Sequence, residues 1–169
     1  GGTVNGAYSL TVNTTGTTTL SGDIGGNTAL TTLTTNTGGT TVISVDIETS
    51  STQTYNDAVT INGTLDFTGS TVQFANTLAG DDGTGDNLTI SGALDLDGAA
   101  TSLTSLTVEG TSNLGADVTT SGTQTYTSGV TVSGGDRILT GTIINFGSTL
   151  AGGTNALTIT GNLDLDGAA

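Results

Sequence analysis

The sequence predicts an all-β chain whose short strands stack on one another as a parallel β-solenoid, and three observations carry that prediction. Short segments alternate apolar with polar residues at a period of two, the mark of a strand with one buried face. Gly, Asn, Asp and Ser interrupt these segments at short intervals, and no stretch carries the i, i+3, i+4 apolar stripe of a helix. The chain also repeats itself at a spacing of about 71 residues.

Along the chain the alternation marks strands at residues 9–12 (SLTV), 42–47 (VISVDI), 64–67 (TLDF), 71–74 (TVQF), 88–90 (LTI) and 94–96 (LDL). Threonine, the commonest residue, suits such strands because its branched Cβ favours extended backbone while its hydroxyl faces water. The pairs Asn62-Gly63, Asp82-Gly83 and Asp97-Gly98 are turn formers, since these residues tolerate positive φ.

The repeat is read by direct comparison. Residues 86–100 (DNLTISGALDLDGAA) return as 155–169 (NALTITGNLDLDGAA), with Leu88 against Leu157 and Asp97 against Asp166. TQTYNDAVTI from Thr52 returns as TQTYTSGVTV from Thr123, Phe74 falls on Phe146, and Leu30 on Leu103, with slips of one to three residues between segments. Residues 1–29 read as the tail of a preceding copy, 30–100 as a first copy and 101–169 as a second. One continuous solenoid is expected, a window of a longer array. Strands this short bury too little surface to stand alone and must stack on copies of themselves. Dividing the repeat into three coils of about 24 residues gives about seven coils and a rod of about 34 Å at the usual strand spacing. An antiparallel sandwich would explain the strands equally well, but not the slips, which a solenoid absorbs in its turns.

Composition narrows function. The chain has no His and no Cys, which removes Ser-His-Asp chemistry, thiolate nucleophiles, zinc fingers and iron–sulfur ligation. One basic residue, Arg137, stands against 15 acids, for a net charge of −14. Such a chain repels polyanions, so neither nucleic acid nor anionic lipid is expected as a partner. No apolar run of membrane-spanning length is present, so no membrane insertion is expected. The near-absence of Lys and Arg leaves trypsin-like proteases almost nothing to cut and points to an extracellular or cell-surface location.

Candidate sites are few. Asp95 and Asp97, and their counterparts Asp164 and Asp166, form carboxylate pairs that a strand would place on one side about 7 Å apart, a spacing a glycosidase can use. Their recurrence in an identical LDLDGAA context favours a solvated turn, and no catalysis is expected. Asp81, Asp82 and Asp86 gather three carboxylates in a Gly-rich loop and are the candidate calcium ligands. Their spacing matches neither an EF-hand nor a calcium-binding β-roll, and the second copy has lost all three. Threonine pairs at 17/19, 32/34, 52/54, 123/125 and 158/160 raise an ice-binding face, but their sequence spacing is irregular, and only 52 and 123 are expected to keep register. Phe74 and Phe146 read as core. Tyr55 and Tyr126 read as core or corner residues and are also the candidate surface contacts, as a platform for glycans. Arg137 has Asp136 or a carboxylate on an adjacent coil as its expected partner.

The strings GAYSLTVNTTG, ALTTLTTNTGGTT and TQTYNDAVT resemble the repeats of secreted bacterial proteins of the filamentous-haemagglutinin-like, two-partner-secretion class. The resemblance covers residues 5–67 directly and 70–169 through the duplication. It implies a right-handed β-helix, export across the outer membrane and a role as a surface adhesin or extracellular filament. The expected function is therefore that of a non-enzymatic stalk, joined to further repeats of the same chain or stacked end to end on identical subunits. Recognition of surface glycans or of a host surface is the alternative.

Overall fold

The alternation of the sequence becomes a three-faced column in the computed structural model, which describes residues 2–166. Among the described residues there are 19 strands and no helix. The chain opens with β1 (Ser9–Val12), β2 (Thr17–Leu20), β3 (Thr32–Thr35), β4 (Thr40–Ile43), β5 (Ile47–Glu48), β6 (Thr52–Tyr55) and β7 (Ala58–Ile61). It continues through β8 (Thr64–Phe74), β9 (Leu78–Gly80), β10 (Asn87–Leu96), β11 (Ala100–Leu103), β12 (Ser105–Val108) and β13 (Ser112–Leu114). It ends with β14 (Val118–Thr120), β15 (Thr123–Tyr126), β16 (Val130–Val132), β17 (Arg137–Phe146), β18 (Leu150–Ala151) and β19 (Leu157–Leu165).

Every ladder is parallel, and each strand pairs with the strand one coil on. The first face runs from the Val4–Ile24–Ile47 bridges through β5, the first halves of β8 and β10, β12, β15 and the second halves of β17 and β19. The second face runs β1, β3, β6, the second halves of β8 and β10, β13, β16 and β18. The third runs β2, β4, β7, β9, β11, β14 and the first halves of β17 and β19. The antiparallel sandwich is excluded.

The coils are shorter than expected. Ser9 pairs with Thr32, Thr52 with Thr71 and Asn87 with Ser105, so one circuit takes 18 to 23 residues and the chain makes about eight turns. At the usual strand spacing the column is about 38 Å long. The division of the repeat changes with it. From β6 to its sequence counterpart β15 the chain crosses eleven faces, three coils and two thirds, not three coils. The second copy is therefore turned by one face against the first. TQTY occupies the second face at β6 and the first face at β15. β10 lies on the first and second faces, and its counterpart β19 on the third and first.

Inward residues fill a narrow core. Leu33, Phe67, Phe74, Ile90, Leu96, Leu114, Ile144 and Phe146 are fully buried. Burial of each large apolar side chain contributes about 1.5–3 kcal/mol relative to exposure. Aromatic rings stack along the axis, Tyr55 on Phe74 at 5.2 Å and Tyr126 on Phe146 at 5.4 Å between centroids.

The four long strands β8, β10, β17 and β19 each turn a corner without breaking, and glycine makes this possible. A Cβ on Gly92, in the middle of β10, would run into the Gly69 carbonyl oxygen of the coil before it. Its counterpart Gly161 stands in the same relation to Gly141, with φ +141°. Position 92 thus needs glycine because two backbones pass too closely for a side chain.

Candidate functional site

Tyr55 and Tyr126 are both 0% exposed, which overturns the expectation of a surface contact. Each phenol turns inward because a polar partner waits there. Tyr55 donates its hydroxyl to Gln53 Oε1 at 2.9 Å, and Gln53 Nε2 donates to the carbonyls of Ile47 at 3.1 Å and Thr68 at 2.9 Å. Tyr126 repeats the arrangement with Gln124 Oε1 at 3.1 Å, and Gln124 Nε2 reaches Val118 O at 3.3 Å and Thr140 O at 2.8 Å. In each copy one glutamine thus ties the ends of two strands on successive coils, at the corner where the preceding face ends. Burial pushes both tyrosine hydroxyls well above the usual range for ionisation. TQTY recurs as a buried corner tie, a role its alternating pattern announces only in that Gln and Tyr fall on the same side. The exposed tyrosine is Tyr8, at 49%, on the approach to β1.

Asp81, Asp82 and Asp86 do come together, their carboxylate oxygens lying within 4.8 Å of one another. The loop between β9 and β10 brings them there, with Gly83 at φ +74° and Gly85 at φ +79°. The three acids are not equivalent. Asp86 is buried, its Oδ1 accepting from the Gly63 amide at 2.9 Å and its Oδ2 from the Gly83 amide at 3.2 Å. Asp82 Oδ1 accepts from the Thr84 amide at 2.8 Å, and Asn62 Nδ2 donates to Asp81 Oδ2. These oxygens already organise the loop. A hard cation would find oxygen ligands here but would compete with four nitrogen donors for them.

The paired acids of the LDLD segments are parts of a ladder on the outer surface. Gln73 Nε2 donates to Asp95 Oδ2 at 3.1 Å and to Asp97 Oδ2 at 3.2 Å, and Asn113 Nδ2 donates to Asp95 Oδ1 at 2.8 Å. Asn145 does the same for Asp166 at 3.1 Å. Carboxamides thus sit above and below the carboxylate of Asp95. The geometry is that of a surface ladder and not of two free carboxyls flanking a cleft.

The threonine pairs are also in better register than their sequence spacing suggests. Ser9 pairs with Thr32, Thr11 with Thr34, Thr34 with Thr54, and Thr52 with Thr71. The first three coils of the second face thus carry outward hydroxyls in two parallel files, on strands of neutral residues; Thr71 extends one file to the fourth coil, where Gln73 stands in the other. Thr52 and Thr123, expected to keep register, lie on different faces. Coils of unequal length bring unequally spaced pairs into line.

Acids gather on the first face instead. Asp23, Asp46, Glu48 and Asp66 line a groove of about 300 Å³ across three successive coils, a feature without a sequence motif because it arises only when the coils align. Burial holds the Asp66 carboxyl above its usual range; a hydrogen bond from Ser91 opposes the rise, and the charges of Asp46 and Glu109 add to it. Asp66 Oδ1 is buried without a partner. Arg137 Nη1 donates at 2.8 Å to the backbone carbonyl of Asp136, not to its carboxylate.

Fold and surface together define a β-solenoid with a neutral hydroxyl file on one face and an acidic groove on another. Comparison with protein-family models, with curated proteins and with solved structures finds no match for this chain.

Proposed function

We propose that this chain is a structural repeat module of a secreted bacterial surface adhesin or extracellular filament, a rigid β-solenoid stalk that serves adhesion or display. The observation that carries the reading is the parallel ladder continued on all three faces through about eight turns, with ring stacks and glutamine ties along its axis. A column of this kind resists bending and extension because every coil is hydrogen-bonded to the next. The recurring strings that resemble filamentous-haemagglutinin-like repeats, and a coat with 15 acids and one basic residue, support an extracellular setting. The module is non-enzymatic on this reading, and its partners are further repeats, identical subunits and surface glycans. Antibodies raised against the chain, gold-labelled on intact cells that make it, should decorate fibrils outside the outer membrane. Label confined to the cell interior would overturn the proposal.

A second reading rests on the hydroxyl files of the second face. Neighbouring coils set outward hydroxyls about 4.8 Å apart and the two files about 7 Å apart, close to oxygen spacings on the prism plane of hexagonal ice. Thermal hysteresis, abolished by the pair Thr34→Tyr and Thr54→Tyr, is its signature. Its absence at millimolar protein leaves the stalk alone.

A further inference from the structure

We propose that Asn62 is a latent modification site, an asparagine set to deamidate through attack by the Gly63 nitrogen, and that Asp81 and Asp86 guard it while the loop between β9 and β10 is closed. Asn-Gly is the pair in which this reaction meets least hindrance, since glycine puts no Cβ beside the attacking nitrogen. The Gly63 amide gives its proton to hydroxide, and its nitrogen bonds to the side-chain carbonyl carbon of Asn62. The bond from that carbon to Nδ2 breaks, and Nδ2 leaves as ammonia, closing a five-membered succinimide. Water then opens the ring at either carbonyl, giving aspartate or isoaspartate. Asn62 is exposed, so water reaches it for both steps.

The structure opposes the attack with two carboxylates. Gly63 N donates to Asp86 Oδ1 at 2.9 Å, and Asp86 is 1% exposed. An amide anion formed there faces a buried negative charge at hydrogen-bond distance, and like charge disfavours it. Asn62 Nδ2 donates to Asp81 Oδ2. That bond fixes the side chain and draws the nitrogen lone pair toward the carbonyl carbon, which makes the carbon a poorer target.

The internal duplication separates this guard from the needs of the turn. At the corresponding corner of the second copy Ser133 and Gly134 stand for Asn62 and Gly63, Asn155 stands for Asp86, and Gly152-Gly153-Thr154 replaces the rest of the acidic loop. The corner itself is kept. Ser133 N donates to Leu114 O at 3.0 Å as Asn62 N does to Ile43 O at 2.9 Å, and Gly134 has φ +68° against +99° at Gly63. The turn therefore forms without the asparagine and without the acids. Labile pair and carboxylates are present together in the first copy and absent together from the second.

Loss of the guard is one-way. Isoaspartate adds a carbon to the main chain at the corner, and either product sets a further carboxylate against Asp81. The bonds from Asn62 N to Ile43 O and from Asn87 N to Gly63 O, at 3.1 Å, then no longer fit as before.

This inference is independent of the stalk reading. The full chain, its Asp86→Asn and Asp81→Asn variants and the parent in urea are incubated at mildly alkaline pH and digested with a protease that cuts before aspartate. Residues 57–65 then report on Asn62: isoaspartate leaves the peptide whole with the mass of an acid, and aspartate adds a cut before residue 62. Asn62 of the folded parent should react at least severalfold more slowly than in urea. Asp86→Asn keeps an oxygen for the Gly63 amide but not the charge and, its fold checked by circular dichroism, should recover most of the unfolded rate; Asp81→Asn should recover part of it. Asn5-Gly6, where Asn5 Nδ2 donates to Asp23 Oδ2 at 2.7 Å, is the control and should keep its rate in both variants. The guard is overturned if Asn62 of the folded parent reacts as fast as in urea, or if Asp86→Asn reacts no faster than the parent. Equal acceleration at Asn5 and Asn62 would mean a general loosening and overturns it as well.

Discussion

Tyr55 and Tyr126 occupy equivalent places in the duplicated sequence, yet they enter the core from different faces, Tyr55 from the second and Tyr126 from the first. The same tie to a glutamine two residues earlier survives the change of face. The unit that recurs is thus a strand with its preceding corner, not a coil, and whatever surface accompanies it circles the column by one face per copy.

Loss of the glutamine tie should be costly. Gln53→Leu keeps the volume but strands the hydroxyl of Tyr55 and removes the amide's bonds to the carbonyls of Ile47 and Thr68, the latter still accepting from the Thr49 amide at 2.8 Å, and should lower stability by about 1–3 kcal/mol in urea unfolding. Tyr55→Phe should cost about 1 kcal/mol, and the pair together less than the sum of the two. Strict additivity would mean that the hydroxyl and the amide do not act together.

Gly92→Ala should destabilise by about 2 kcal/mol or more, because the Gly69 carbonyl fills the space the methyl group needs. Gly38→Ala serves as the contrast: it has φ +102° but open space around it, so only backbone strain of about 1–2 kcal/mol applies. Equal losses would show that the corner relaxes around the added methyl.

Asp66 should make the column more stable as pH falls. Its carboxyl ionises above the usual range in the folded chain, so the folded state holds a proton that the unfolded state has released. The penalty is present above the raised folded value and disappears as pH falls through it toward the ordinary aspartate value. Asp66→Asn should therefore raise the melting temperature at pH 7 and lose that advantage near pH 4. A variant equally stabilised at both values would point to packing and not to charge.

The acidic loop offers a separable test of structure and metal. In excess EDTA, Asp86→Ala should lose about 1–3 kcal/mol through the orphaned amides of Gly63 and Gly83. Asp81→Ala and Asp82→Ala, at exposed positions, should stay within about 0.5–1 kcal/mol of the parent. If calcium raises the melting temperature of the parent but not of Asp81→Ala, the cluster holds the ion as well as the loop.

The sequence by itself determines that the chain is built of short strands, that these stack, and that the stack repeats. Those properties are local or self-referential: alternation at a period of two, turn residues between segments, and strings that return. It also marks Phe74 and Phe146 as core, and both are 0% exposed. What only the tertiary structure decides is how many residues make one coil, and with that which residues become neighbours. Coil length is set at corners such as Gly69 and Gly92, where an unbroken strand bends because two backbones come close, and an SG or TG pair looks the same in sequence whether the chain turns there or pauses in a loop. Hence the repeat of about 71 residues spans eleven faces and not nine, irregular threonine pairs fall into files, and four scattered acids meet in one groove. The tyrosines follow the same logic, since a phenol at an alternating position turns inward once a glutamine, itself held by two carbonyls of neighbouring coils, is brought within its reach.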